Sequence, residues 1–360
     1  MLHAIIMAGG TGTRFWPAST NDTPKQLLRL VGSKSLLRQT IDRLGDVAPA
    51  GRRLVVTNKR LMSAIHQQLP ELPAVSIVGE PCKRDTAPCI GLAAMLVSRH
   101  DPEATLVVMP ADHVIRPDEV FQNAICQAAQ MVEDSPWSIV TFGIKPTYPA
   151  EVFGYIRRGK PLPQPEGAAD AYVVKKFEEK PDAATAEKYL ASGDYYWNSG
   201  IFVWRAATIL SALAERQPLM VRHLETILAA WDTEERNEVF EREFTAIQPI
   251  SIDYAVMEHA TDVAVVEAPF EWDDLGSWQS LARLEGTDAD GNTIIGRHLG
   301  VKTKGTIVHT DRQHLVVTLG IKDCIVVHTP NATLVASKHD EEQIRKVVKE
   351  LEAQGWTDYL

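Results

Sequence analysis

Small residues in succession, followed by cations, mark the first place in this chain where chemistry could be done. The run is Ala8-Gly9-Gly10-Thr11-Gly12-Thr13-Arg14, with Lys25 a little further on. Consecutive small residues let backbone N–H groups converge on an anion, and glycine supplies the dihedral angles such a nest needs. With mobile positive charge on Arg14 and Lys25, the stretch reads as a phosphate-gripping loop; a plain strand–turn connection is the alternative. Two familiar glycine signatures fail here. No Lys-Ser or Lys-Thr follows Gly12, as the ATPase pattern requires, and the sixth position of the dinucleotide pattern is Phe15. The second failure counts against a nicotinamide dehydrogenase.

Two carboxylates are the next candidates. Asp112 directly follows the apolar run 105–109, and Asp274 lies in a Trp-rich turn, Phe270-Glu271-Trp272-Asp273-Asp274-Leu275-Gly276-Ser277-Trp278. A carboxylate at a strand end is a hard oxygen ligand suited to Mg2+, which needs only one or two protein carboxylates beside phosphates. A helix N-cap for Asp112 and a turn aspartate for Asp274 are the plainer readings. No His–Cys or Ser–His pair suited to nucleophilic catalysis is apparent.

These residues need a scaffold, and the pattern of the chain supplies one. Residues 4–7 are a short apolar run that makes a buried strand, so the glycine loop falls at its carboxyl end, where open α/β sheets bind their ligands. Further strands are expected at 53–57, 75–78, 105–109 and 138–144, alternating with helices at 33–44, 61–69, 89–99 and 118–132. That alternation implies a mostly parallel sheet with covered faces. The middle is less regular, with strands at 172–177, 201–204 and 263–267, helices at 183–190, 206–213, 220–230 and 253–259, and a Pro-, Gly- and Ala-rich surface excursion at 159–170. From 292 to 336, short apolar groups are punctuated by Gly296, Gly300, Gly305, Gly320 and Pro330. This is all-β texture that loosely suggests solenoid rungs, and residues 338–352 close the chain as an amphipathic helix.

A chain of 360 residues can bury a sizeable core, and its 45% apolar and 23% charged content is that of a globular protein. Lys and Arg number 37 against 47 Asp and Glu, a net charge of −10 that opposes non-specific nucleic-acid binding. Four cysteines without metal-ligand spacing favour a reducing compartment. No run reaches the roughly 18 apolar residues of a membrane span, and no signal segment is seen, so a cytoplasmic protein without membrane partners is expected.

The motifs, taken in order, resemble those of the sugar-nucleotide pyrophosphorylases, the nucleotidyltransferases that join a nucleoside triphosphate to a sugar 1-phosphate. Gly9-Gly10-Thr11-Gly12-Thr13-Arg14 with Pro17, Ser19 and Pro24-Lys25-Gln26 is similar to their signature. The variant Phe15-Trp16-Pro17 resembles the mannose-1-phosphate guanylyltransferase branch. The resemblance implies a Rossmann-like, mixed but mostly parallel α/β sheet over residues 1–286. It also implies a small β-rich, left-handed β-helix-like domain over 287–360, with a packing or homodimerisation role. Residues 106–113 and 270–278 resemble the segments that bring two metal-binding aspartates together, so Asp112 and Asp274 are the implied Mg2+ ligands, with Asp273 the neighbouring alternative. By the same resemblance Arg14 and Lys25 handle the triphosphate, with Ala8, Gly9, Gly10, Thr11, Gly12 and Thr13 around it. Lys180, in Glu179-Lys180-Pro181, holds the sugar phosphate.

Residues 80–88 resemble the stretch beside the nucleotide base, and Glu80, Asp85, Thr86 and Pro88 are its nucleotide-binding candidates. Family members carry Arg-Asn-Thr-Ala-Pro where this chain has Arg84-Asp85-Thr86-Ala87-Pro88. A carboxylate at Asp85 or Glu80 could accept from guanine N1–H and its exocyclic amine, a contact adenine could not return; Asp85 could equally cap the helix that follows. Gly154, Glu179 and Asn198 resemble the sugar contacts, whereas Trp197 and Trp204 read as core. The implied reaction is GTP plus mannose 1-phosphate giving GDP-mannose and pyrophosphate. Another nucleotide or hexose, such as UTP or glucose 1-phosphate, and a GTP-binding relative without turnover are the alternatives. Some members of this branch carry a C-terminal phosphomannose isomerase domain; with the sequence ending at Leu360, isomerase activity is not expected.

Overall fold

The computed structural model describes residues 1–10 and 12–360; Thr11 of the expected nucleotide loop lies outside them. The chain divides into two compact units, one of Met1–Gly9, Asp42–Pro110 and Ile115–Trp272, the other of Gly10–Ile41, Ala111–Val114 and Asp273–Leu360.

The larger unit is built on a nine-stranded sheet. Its first strand, Leu2–Ala8, is apolar and lies between Arg53–Asn58 and Thr105–Pro110, parallel to both, and Ile77–Glu80 extends the parallel half. Antiparallel pairing enters with Tyr195–Arg205, which runs between Thr105–Pro110 and Ile139–Ile144. Val263–Glu267 pairs parallel with Ile139–Ile144, and the far edge, Ala171–Glu178 with Tyr155–Leu162, is antiparallel. The sheet is thus mixed, with helices on its faces. Residues 159–162, expected in a surface excursion, instead continue the strand Tyr155–Leu162. Strand pairing overrides the Gly159 and Pro161 breakers there, with register shifts at the edge where a bulge is tolerated.

One helix stands apart by composition. Thr86–Ser98 carries ten buried residues in succession from Ala87 to Leu96, apolar on all sides. Such a helix is stable only when enclosed. Its Gly91 admits the close approach of Leu213 and Leu224 from the helices Ala206–Arg216 and Pro218–Ala229. A further helix, Arg236–Ala246, is not signalled by the sequence pattern: only Val239, Phe240 and Phe244 turn inward from an otherwise charged run.

The smaller unit holds the short-rung β structure. Thr293–Ile295, Ile307–His309 and Cys324–His328 pair in parallel, closed by antiparallel Thr333–Ser337, and Arg297–Val301 pairs in parallel with Leu315–Leu319. Its core joins Ile307, Ile325, Val327 and Ile344 to Phe15, Trp16 and Trp278. The Phe15 and Trp278 rings meet at 5.0 Å between centroids, and the Trp16 indole donates to the Tyr359 carbonyl at 2.8 Å. The aromatic pair after the glycine loop therefore anchors that loop to the C-terminal structure. The expected closing helix is divided, a 3-10 stretch Lys338–Gln343 leading into Ile344–Ala353. Among the described residues no helix is long and apolar enough to cross a membrane.

Candidate active site

The smaller unit contains a cavity of about 260 Å³ that collects Gly12, Thr13, Arg14, Lys25, Asp112 and Asp274. Gly12 adopts φ 61°, and a Cβ there would fall 2.3 Å from Lys25 Cβ. Only glycine lets the loop pass so near the lysine. Lys25, with its side chain only 8% exposed, donates from Nζ to Asp112 Oδ2 at 2.7 Å and to the Asp274 carbonyl at 2.6 Å. Arg14 donates to the Gly276 carbonyl at 2.9 Å and lies 3.6 Å from Glu342. Burial works to raise the Asp112 carboxyl, but the charges of Lys25 and His113 and the Lys25 hydrogen bond outweigh it and hold the group below the usual carboxylate range. Asp274 goes the other way: burial raises it, the charge of Lys25 pulls against that, and the charges of Asp273 and Asp112 add to the rise. Asp273 is otherwise engaged, accepting from Leu275 N–H at 2.7 Å and from Arg283 at 2.9 Å.

No three His, Cys, Asp or Glu side chains gather as a metal cluster among the described residues. Two carboxylates lining one cavity with a lysine to balance them are nevertheless a donor set that suits Mg2+, whose other ligands come from phosphates and water. The set does not suit zinc, which asks for nitrogen or sulfur ligands in greater number.

The larger unit carries the other candidates in two groups. Ala8 is buried at the end of the first strand, and Gly9 follows it 3.7 Å, measured from an added Cβ, from Glu80 Oε2. Glu80 is 7% exposed and closes the strand Ile77–Glu80. Burial pushes its carboxyl up to about 8, only partly opposed by a hydrogen bond with Cys89. Its Oε1 has no partner among the described residues. Asp85 caps the helix that follows, accepting from Thr86 N–H at 2.9 Å, and it does so at φ 68° and ψ −169°, a region that side chains other than glycine rarely adopt. Thr86 Oγ1 accepts from Ile252 N–H at 2.8 Å, and Pro88 is buried in the helix's first turn. Gly10, by contrast, is exposed, and a Cβ added there would meet nothing within 4 Å.

The second group is built around Gly154, Glu179, Lys180 and Asn198. A Cβ on Gly154 would fall 2.4 Å from Glu179 Oε2, so the glycine makes room for that carboxylate. Glu179 accepts from Lys180 Nζ at 2.6 Å, and Asn198 N–H donates to the Gly154 carbonyl at 2.8 Å. Burial lowers the Lys180 ammonium, but the Glu179 bond and charge leave it above its ordinary value. Trp197 and Trp204 are core residues at 5% and 0% exposure.

Three participants are not signalled by the sequence. Asp253 accepts from Asn198 Nδ2 at 3.0 Å. Its carboxyl is pushed up to about 7 by burial first and then by the charge of Glu179, with Lys180 pulling against them. It sits in a one-turn helix, Ile252–Ala255, whose only local mark is the capping Ser251. His113 and Arg345 line the same cavity as Lys25 and Asp112. Arg345 lies next to Ile344 on the closing helix, where the apolar spacing shows which face is buried but gives no sign of what the charged residues meet.

Comparison with known proteins assigns the chain to a family. The Nucleotidyl transferase family model matches residues 3–291, and the MannoseP isomerase/GMP-like beta-helix domain model matches residues 296–351. A mannose-1-phosphate guanylyltransferase of Escherichia coli strain K12 is 38% identical over 98% of this chain and 74% of its own length. Xanthan biosynthesis protein XanB of Xanthomonas campestris is 39% identical over 98% of this chain and 73% of its own. The chain thus spans about three quarters of these relatives. A crystal structure from Thermus thermophilus, named a mannose-1-phosphate geranyltransferase, superposes with a TM-score of 0.86 at 35% identity over 98% of this chain and 99% of that one. With its nucleotidyltransferase sheet, its β-rich C-terminal region and near-full-length relatives, the chain belongs to the mannose-1-phosphate guanylyltransferase family of nucleotidyltransferases.

Proposed function

We propose that the protein transfers the guanylyl group of GTP to α-D-mannose 1-phosphate, giving GDP-mannose and pyrophosphate. A phosphate oxygen of the sugar phosphate attacks the α-phosphorus in line with the departing pyrophosphate. That oxygen is ionised near neutral pH, so no general base is required, and rate enhancement comes from alignment and charge neutralisation. The observation that carries the residue assignment is the pairing of Lys25 with Asp112 and with the Asp274 carbonyl in a cavity also lined by Arg14 and Arg345.

In this reading Lys25, Arg14 and the amides of Gly10, Gly12 and Thr13 hold the phosphates that leave, and Arg345 adds a guanidinium to them. Asp112 and Asp274 would hold Mg2+, which would supply neutralisation of phosphate charge. Lys180 fixes the sugar phosphate, while Glu179 and Asn198 take sugar hydroxyls beside Gly154. Glu80 reads guanine, with Asp85, Thr86 and Pro88 shaping the loop and helix turn next to it.

We also infer a division of labour between a catalytic region over 1–286 and a β-rich region over 287–360. A cytoplasmic homodimer is the assembly we favour. The four free cysteines suit a reducing compartment, and Leu299, Val301, Leu315, Val317 and Leu319 are exposed on the paired strands Arg297–Val301 and Leu315–Leu319.

Initial rates of pyrophosphate release over four nucleoside triphosphates and several hexose 1-phosphates test the reaction. GTP with mannose 1-phosphate should be the fastest pair. Equal turnover of UTP with glucose 1-phosphate would move the protein to another branch, and GTP binding without any pyrophosphate release would make it a non-catalytic relative.

A further inference from the structure

The larger unit has a second cavity, of about 450 Å³, that none of the chemistry above uses. It lies at the amino ends of three neighbouring parallel strands, lined by His3 near the start of Leu2–Ala8, Arg53 at the start of Arg53–Asn58, and Ser76 just before Ile77–Glu80. Glu80 and Ala8, the base-side candidates, sit at the carboxyl ends of those same strands. The two places are therefore at opposite ends of the same strands.

Charge in this cavity runs against the charge of the chain. The protein as a whole carries −10, yet the lining brings Arg52, Arg53, Arg99 and Arg236 together with a single carboxylate, Asp232. Asp232 is taken by Arg99 in an ion pair. Arg53 is fixed by donating to the Ala48 and Gly45 carbonyls. Arg236 lies over Trp231, its Cζ 3.8 Å from the ring centroid. Burial lowers its guanidinium, and the charge of Asp232 only partly offsets that. Arg52 has no side-chain hydrogen bond or ion pair among the described residues, and its charge bears on His3. A concave surface with surplus guanidinium charge, two of its arginines unneutralised by any carboxylate bond, is short of an anion.

We propose that this cavity is a binding site for the phosphate groups of a small molecule, held chiefly by Arg52 and Arg236. Guanidinium forks match phosphate oxygens two at a time, and the Trp231 ring restrains the position of the Arg236 fork. Leu54, Leu96 and Val97 give the same cavity an apolar wall for the body of the ligand. The phosphate could belong to a free inorganic anion or to a phosphorylated metabolite, including the product nucleotide sugar. The proposal does not depend on the residue roles assigned to the catalytic cavity.

Hydrogen-exchange protection of the whole chain, read with inorganic phosphate, inorganic pyrophosphate, GTP or GDP-mannose as probes, separates these sources. At least one probe should protect residues 50–54 and 96–100, with potassium chloride of equal ionic strength giving no protection. Arg52→Ala and Arg236→Ala should each weaken that protection about tenfold or more in probe concentration. Both variants should retain the unliganded turnover rate and the protection that substrates give at residues 12–25. Lys25→Ala should retain protection at 50–54, which sets this cavity apart from the catalytic one. Absence of protection with all four probes, or equal protection by chloride, overturns the proposal.

Discussion

Lys25 Nζ and Asp112 Oδ2 lie 2.7 Å apart, in a pocket where the lysine also holds the Asp274 main chain. One ammonium thus ties together the two segments that carry Asp112 and Asp274, the proposed metal ligands. Lys25→Ala should cost pyrophosphate release about a hundredfold or more, the scale of removing one preorganised charge from developing phosphate charge. Circular dichroism should show a folded protein. Unchanged initial rates in a folded variant would remove Lys25 from the mechanism, and Asp112→Ala is the matching test for the carboxylate.

Glu80 offers a signature that is independent of rate. With its carboxyl pushed up to about 8 by burial, it is mostly protonated at pH 7. Two N–H donors from guanine stabilise the ionised form, so GTP binding should release a proton. Titration calorimetry at pH 7 in buffers of different ionisation enthalpy should detect that release, and Glu80→Gln should abolish it. For stability the sign is fixed as well. A carboxyl with a raised native value favours the fold most at low pH, and that contribution is lost as pH climbs through about 8.

Asp253 predicts a pH dependence on the sugar side. Its carboxyl titrates near 7, raised by burial and by Glu179. Above that value a second negative charge appears beside Lys180, against an incoming phosphate dianion. KM for mannose 1-phosphate should therefore rise between about pH 6 and 8, one unit either side of the midpoint, and Asp253→Asn should flatten the profile. A profile unaltered in the variant would assign the dependence to another group.

Asp85 trades backbone strain for position. Its φ of 68° with ψ −169° is a glycine conformation. Asp85→Gly should raise stability by about 1 kcal/mol in urea unfolding, relief of that strain exceeding the few tenths lost with the cap. Discrimination of GTP from ATP should fall if the carboxylate reads the base, and stay constant if it serves only as a cap.

Arg345, on the closing helix, lines the cavity proposed to hold the triphosphate. Arg345→Ala should raise KM for GTP about tenfold, and Arg345→Lys should recover part of the loss by restoring charge without the planar fork. An unaltered KM would leave the residue as a bystander on the cavity wall.

The loop at the end of the first strand was legible because its information is local: three glycines, a strand before them and two cations after. Asp112 was legible for the same reason, since Pro110-Ala111-Asp112-His113 follows a strand of wholly apolar residues. Asp253 and Arg345 were not, because their importance lies in what approaches them, and neither neighbouring sequence carries a pattern beyond ordinary helix chemistry. Phe15 and Trp16 belong between these cases. Their types signalled a family branch, but their burial against Trp278 and beneath Tyr359 is set by segments more than two hundred residues away in the chain.

The loop before the buried helix is stitched to the segment that carries Asp253. Ala87 N–H donates to the Ile250 carbonyl at 3.1 Å, Ile250 N–H to the Arg84 carbonyl at 3.2 Å, and Ile252 N–H to Thr86 Oγ1 at 2.8 Å. Residues 84–87 therefore cannot move to suit a different base without dragging 250–253 along, and Asn198 with it. On the proposed assignment of these residues to base and sugar, a misfitting purine would be registered as a misplaced sugar contact, making fidelity toward the two substrates one shared property of this clasp rather than two separate ones.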